Sequence, residues 1–244
     1  MSQTKNKMKR IETCLSPELL HLYNLQGKNV LIVDIFRATT SMISALANGV
    51  ISIRPFRSLE ECEAMKHEGF IIAGERDGKK VESFDLGNSP LSYLNHTFSN
   101  RKIAMTTTNG TLAIDAVKAI ANKVLIGAFI NLNATIEYLK NQEEDLVILC
   151  AGWKGKFNLE DSLYAGAIAY FLSKDYTTDC DGTLAMKSLY QFNQNNIKAF
   201  LANASHTKRL QNQNIEADID FCLSYDIFDV IGLVKDGEII AQQS

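Results

Sequence analysis

From Val30 to Cys150, short apolar runs alternate with polar turns and alanine-rich stretches, the pattern of strands feeding helices in an α/β fold. The runs Val30 to Ile35, Ile51 to Arg54, Phe70 to Ala73, Lys102 to Thr106, Lys123 to Ile126 and Leu146 to Cys150 are short and rich in Ile, Val and Leu. They predict strands covered on both faces. Between them Ala113, Ala116, Val117 and Ile120 recur at helical spacing, and Leu163, Ala167, Ile168 and Phe171 repeat the stripe. Both segments predict helices packed on the sheet. From Ser173 to Asp220 the chain turns polar and rich in Asn and Gln, yet apolar residues keep a helical period, which predicts a helical C-terminal portion rather than a linker. VIGLVKDGEII, with Asp236-Gly237 between apolar runs, predicts a terminal hairpin. The expected architecture is a three-layer α/β/α sandwich with a mainly parallel or mixed sheet. A single domain over residues 1–244 is expected, with room for two sub-lobes.

Composition narrows the function classes. Hydrophobic residues at 46%, charged residues at 22% and three prolines in 244 residues argue for a folded chain and against disorder. A formal net charge of -3 gives no overall attraction to nucleic acid or to an anionic membrane. The first ten residues are basic but lead into a mixed stretch, and no run reaches eighteen apolar residues, so neither a secretory signal nor a membrane partner is expected. The five cysteines are odd in number and form no CxxC pair, which fits a reducing, cytoplasmic setting. Homo-oligomerisation is left open by these features.

Candidate chemistry collects where strands run into helices, because ligands of open parallel sheets sit outside the carboxyl ends of the strands. Three such junctions echo one another. DIFRATT brings Asp34, Arg37, Thr39 and Thr40; TTTNGT brings Thr107, Thr108, Asn109, Gly110 and Thr111; CAGWKGKFNLED brings Glu160 and Asp161. Hydroxyls and a glycine at a helix start let backbone N–H groups meet an anion, although Thr and Asn also cap ordinary helices. Asp34 and Arg37 could hold a divalent metal and a phosphoryl oxygen, or form a structural ion pair. GERDG adds Glu75 and Arg76, and FDLGNSP adds Asp85, Asn88 and Ser89; hard divalent cations need such carboxylates. His206 sits beside Lys208 and Arg209 in ASHTKRL, placed either to donate to a substrate oxygen or to cap a turn. Phe36 stands two residues after Asp34, where haloacid-dehalogenase-type phosphatases carry a second Asp, so an aspartyl-phosphate route of that type is not expected.

DIFRATT, GER, FDLGNSP, TTTNGT, CAGWKGKFNLED with YAGA following, and ASHTKRL leading to DIDFCLSYD occur in the order and approximate spacing of the 2-phosphosulfolactate phosphatase family, which the chain resembles from about Leu31 to Val234. The resemblance implies a magnesium-dependent acid phosphatase with a three-layer α/β fold. Its substrate would be (R)-2-phospho-3-sulfolactate, cleaved to 3-sulfolactate and phosphate on the route to coenzyme M. On this reading Asp34, Arg37, Glu160, Asp161 and His206 are the catalytic candidates, with Mg2+ held by some of Asp34, Glu75, Asp85, Glu160 and Asp161. Arg37, Thr39, Thr40, Asn88, Ser89 and Thr107 to Thr111 would hold the small anionic substrate, and Arg76, His206 or Lys208 its carboxylate or sulfonate. Trp153 and Lys154 depart from the common family pattern in a loop expected to border the site. The alternative is a non-catalytic protein that senses a small phosphorylated or sulfonated acid.

Overall fold

The structure is a computed structural model that describes residues 8–211 and 215–242. In chain order its strands and helices are β1 (Lys9–Cys14), β2 (Asn29–Val33), α1 (Ala38–Ala47), β3 (Ser52–Pro55), α2 (Leu59–Ala64), β4 (Ile71–Arg76), β5 (Lys79–Lys80) and β6 (Lys102–Thr106). They continue with α3 (Gly110–Val117), β7 (Lys123–Gly127), α4 (Leu132–Lys140), β8 (Leu146–Cys150), α5 (Leu159–Phe171), β9 (Tyr176–Thr177) and α6 (Asp181–Asn193). The last are α7 (Ile197–Leu201), α8 (Ser205–Gln211), α9 (Glu216–Cys222), β10 (Ile231–Lys235) and β11 (Glu238–Gln242). All six runs read as strands are strands. Every residue of β2 and of β8 is buried, as both-face coverage in an α/β sandwich requires.

One mixed sheet takes the order β5-β4-β6-β3-β11-β10-β7-β2-β8-β1-β9. Two parallel blocks compose it: β4, β6 and β3 on one side, and β7, β2, β8 and β1 on the other. The C-terminal hairpin is wedged between them, antiparallel to β7 through β10 and to β3 through β11. Asp236 and Gly237 close it with φ of 50° and 80°, the two left-handed residues that a hairpin turn matched to strand twist needs. Three antiparallel junctions in succession leave the two blocks running in opposite directions, so a flat sheet would put their carboxyl ends on opposite edges. The sheet is not flat. Five inter-strand steps separate β6 from β2, and at about 20–25° per step the accumulated twist, roughly 100–125°, removes much of that separation. Contact at the junction proves the convergence: a Cβ on Gly110, after β6, would lie 2.6 Å from the Cβ of Ala38 and 3.0 Å from Oδ2 of Asp34, after β2.

The structure refines three expectations. β1 lies inside the sheet between β8 and β9, although its sequence KRIETC mixes charged and apolar residues and carries no continuous apolar run. β4 runs on through Gly74 to Arg76, which carries Glu75 to the strand's end. The helical stripes also shift. α3 ends at Val117 and buries Ala113, Ile114 and Val117, whereas Ala116 faces out and Ile120 lies beyond the helix, 55% exposed. α5 is buried from Glu160 to Ala169, with Phe171 exposed at its end. α6 packs so closely along α5 that a Cβ on Gly166 would stand 2.0 Å from the carbonyl oxygen of Met186; the α5 stripe is therefore one side of an all-round contact.

Candidate active site

The crevice at the joined strand ends is built on acids. Asp34 follows β2, and the Thr39 hydroxyl accepts from its N–H at 3.0 Å while donating to its carbonyl at 2.9 Å. Thr40 donates likewise to the carbonyl of Ile35 at 2.9 Å. These bonds shape the turn into α1 and engage both hydroxyls, and Thr39 and Thr40 are fully buried. The Asp34 carboxylate takes one long bond, from the N–H of Ala38 at 3.3 Å. Burial, with Glu75 and Glu160 adding repulsion against the pull of His206, raises its pKa to about 6.

The neighbouring acids Glu160 and Asp161, in the first turn of α5, are both inaccessible to solvent and do different work. Asp161 accepts from the N–H of Ile35 at 2.8 Å and from that of Gly152 at 3.1 Å, one per oxygen. It ties the chain leaving β2 to the chain leaving β8. Burial first, then Glu160 and Asp34, push its pKa well up. Glu160 instead places Oε1 2.5 Å from Nδ1 of His206, on α8, and its Oε2 is buried with no hydrogen-bond partner. The Asn158 amide stands 3.4 Å from the same ring nitrogen. With Nδ1 engaged, Nε2 is the nitrogen His206 offers to the crevice.

Glu75 closes the far side. Its Oε1 accepts from the N–H of Thr108 at 2.6 Å, and its Oε2 from the N–H of Gly78 at 2.6 Å and the Thr108 hydroxyl at 3.1 Å. Arg37 forms a buried ion pair with Asp218 of α9 and donates to the carbonyl of Gly78 at 3.2 Å. Ser89 donates to the other oxygen of Asp218 at 2.7 Å. Ser89 therefore acts on Asp218 and not on the crevice. Asp218 opens the DIDFCLSYD motif but was not singled out as a candidate, because its residue type alone carries no role and only its approach to Arg37 reveals one.

Asp34, Arg37, Glu75, Asn88, Asn109 and His206 give the polar wall of the resulting cavity, and Phe36, Trp153 and Leu210 cover it. Its free volume is about 20 Å³, close to the room one water needs. Asn88 has a buried Oδ1 without a partner. Of the threonine turn, only Asn109 reaches this wall. Thr107 and Thr111 exchange hydroxyl-to-backbone bonds at 3.2 and 3.1 Å, Thr108 is held by Glu75, and Gly110 provides the close approach to Asp34.

Three further candidates lie away from the cavity. Arg76 points to the opposite side of the threonine turn, donating to the carbonyls of Glu75 and Arg57 and to the Thr106 hydroxyl. Lys208 is exposed on α8. Asp85 accepts from the N–H of Ile72 at 2.9 Å, at the entry of β4, with Lys66 at 3.8 Å, so it belongs to the other end of that strand from Glu75. Trp153 does border the cavity, its ring 5.7 Å from that of His206. Lys154 lies outside the lining and pairs with Asp77 at 2.7 Å.

Comparison with known proteins points one way. A family model described as 2-phosphosulpholactate phosphatase matches residues 14–237. A protein of Caldanaerobacter subterraneus subsp. tengcongensis named probable 2-phosphosulfolactate phosphatase is 38% identical over 226 residues, 90% of this chain and 93% of its own. A protein of Thermotoga petrophila with the same name is 35% identical over 219 residues, covering 90% and 94%. Another of that name, from Clostridium beijerinckii, is 32% identical over 241 residues, covering 96% and 100%.

Proposed function

The chain belongs to the 2-phosphosulfolactate phosphatase family, whose members are phosphoric monoester hydrolases, and from that premise we propose that it hydrolyses the phosphate ester of (R)-2-phospho-3-sulfolactate, or of a related small phosphorylated acid, with magnesium. The observation that carries this reading is His206, backed by Glu160 and set in the same wall as Asp34 and Arg37.

The wall carries more negative than positive charge: Asp34 and Glu75 line it, Glu160 stands behind His206, and the one lining guanidinium, Arg37, is paired with Asp218. A phosphoryl group would be repelled there unless a cation intervened. No three His, Cys, Asp or Glu side chains among the described residues are grouped as a ready-made metal cage. Magnesium seldom uses one, being held by one or two carboxylates with water and substrate phosphate supplying the rest. Asp34 and Glu75 are the hard oxygen donors that would hold it, and it would supply charge neutralisation at the phosphoryl oxygens.

Arg37 keeps N–H donors beyond those given to Asp218 and Gly78, and these orient the phosphoryl group. Water adds to phosphorus as the bond to the ester oxygen breaks, through a loose transition state that asks more of positioning than of a strong base. The departing alkoxide needs a proton. His206 delivers it from Nε2, while Glu160 at Nδ1 stabilises the charged ring and fixes its orientation. The products are the alcohol and inorganic phosphate. Assay against phosphosulfolactate and simple phosphomonoesters, with magnesium and with EDTA, tests the proposal; the expected result is magnesium-dependent release of phosphate, and inactivity across the panel in both conditions overturns it.

A further inference from the structure

We propose that Arg209 forms the subsite for the second, non-scissile acid of the substrate, a sulfonate or carboxylate held beside the phosphoryl position. The proposal rests on the phosphatase reading above and names the part of the site that would select a two-anion substrate.

His206, Arg209 and Leu210 stand at i, i+3 and i+4 on α8, so they share one face. His206 and Leu210 line the cavity. Arg209 lays its guanidinium 4.1 Å over the ring of Trp153, which also lines it. Stacking uses the flat face of a guanidinium and leaves its N–H fork free in the plane, the geometry that receives two oxygens of one acid. Nη2 of Arg209 is buried and has no hydrogen-bond partner. A buried charged donor without an acceptor is costly, and an incoming acid would remove that cost. Glu160 is the charge acting on Arg209 against its burial, which places the guanidinium in the electrostatic neighbourhood of the proton-transfer pair.

The other cations considered for this role are committed or remote. Arg37 serves Asp218 and Gly78 and gives its remaining donors to the phosphoryl group in the reading above, Arg76 has three acceptors of its own outside the cavity, Lys154 pairs with Asp77, and Lys208 is exposed. A cavity of about 20 Å³ has room for about one water, so an organic acid with two anionic groups needs the lining side chains, Trp153 and Leu210 among them, to move. Trp153 is the single tryptophan of the chain. Its emission therefore reports on ligand entry directly, without turnover.

The test is titration of Trp153 fluorescence, in magnesium, with 3-sulfolactate and separately with inorganic phosphate, on the wild type and on Arg209→Met and Arg209→Lys. For Arg209→Met the Kd for 3-sulfolactate is expected to rise at least about tenfold while that for phosphate moves less than about threefold. Equal weakening of both ligands, or no weakening, overturns the subsite. If Arg209→Met does not fold by circular dichroism, Arg209→Lys decides: loss of the fork should weaken 3-sulfolactate at least about threefold, and wild-type affinity overturns the proposal. Hydrolysis of an aryl phosphate by the wild type separates this outcome from the parent reading. A protein that binds 3-sulfolactate through Arg209 but cleaves no phosphomonoester keeps the subsite and loses the phosphatase.

Discussion

The threonine turn at 107–111 and the short helix α8 border the same crevice with opposite economies of hydrogen bonding. In the turn almost every polar group is already answered: Thr107 and Thr111 satisfy each other, and Thr108 gives both its N–H and its hydroxyl to Glu75. In α8 the groups are left open. His206 offers a ring nitrogen to the cavity, and Arg209 holds a buried donor with no acceptor. Residue types alone favour the turn, since hydroxyls before a helix resemble an anion cradle. Partners reverse that ranking, because an N–H or hydroxyl proton already given within the protein is not available to an anionic ligand.

Replacing His206 should break the comparison most severely. His206→Asn is expected to lower kcat on phosphosulfolactate by about a hundredfold to ten-thousandfold, the range for losing a positioned acid. The loss should shrink sharply on p-nitrophenyl phosphate, whose leaving group departs without a proton. Steady-state kinetics on the two substrates check this, and equal losses on both would remove His206 from the role of proton donor.

Asp34→Asn comes next, with an expected drop in kcat/KM of at least about a hundredfold if the carboxylate holds the metal through the transition state. The same variant carries a stability signature of opposite sign. Burial raises the Asp34 pKa to about 6 in the folded protein against an ordinary value of 3.8, so the native state binds its proton more tightly than the unfolded chain. Stability contributed by that proton is present below pH 4 and is lost as pH rises toward 6. In EDTA at pH 7.5, Asn should therefore be more stable than Asp by an amount on the order of 1–3 kcal/mol, and the difference should vanish near pH 3.5. Urea melts at the two pH values measure it; a destabilised Asn variant at pH 7.5 would refute the burial argument.

How far the sequence carried depended on whether partners are local. Strands such as Leu146–Cys150 and the Asp236-Gly237 hairpin are written in contiguous residues, and both appear where the pattern put them. The position of that hairpin between two parallel blocks is not, because strand order is set by contacts over the whole chain. The site divides the same way. Asp34, Arg37, Glu75 and His206 were visible as chemistry at strand ends or beside basic residues. The distinction between Glu160 and Asp161 was not, since adjacent acids in one helical turn differ only in what they meet: a histidine for the first, two backbone N–H groups for the second. Asp218 and Arg209 depended in the same way on distant neighbours, Arg37 for the one and Trp153 for the other.

Thr111→Val tests the turn's side of the comparison. Losing the hydroxyl leaves the N–H of Thr107 unanswered in a buried turn, at an expected cost of about 1–2 kcal/mol in stability. Catalysis should barely notice, with kcat/KM within about threefold of wild type at a temperature where both are folded. A KM raised tenfold or more would restore the turn as an anion cradle.

The smallest effect is expected at Asp85, and it sharpens the boundary of the acid cluster. Asp85 and Glu75 both bond to β4 or its extension, yet Asp85 receives the N–H of Ile72 near the strand's first residue while Glu75 sits near its last. Its side chain is 38% exposed and 3.8 Å from Lys66, an environment in which an ion pair is worth no more than about 1 kcal/mol. Asn keeps an oxygen for Ile72 and gives up only the charge. Asp85→Asn should therefore lower stability by about 0.5 kcal/mol or less, and leave both kcat and the magnesium concentration for half-maximal activity within about twofold of wild type. A metal ligand would behave otherwise, because removing a charged donor from a two-carboxylate magnesium site raises the concentration needed for activation by an order of magnitude or more. That shift, measured in a magnesium titration of the variant, would bring Asp85 back into the site and require β4 to be engaged at both ends.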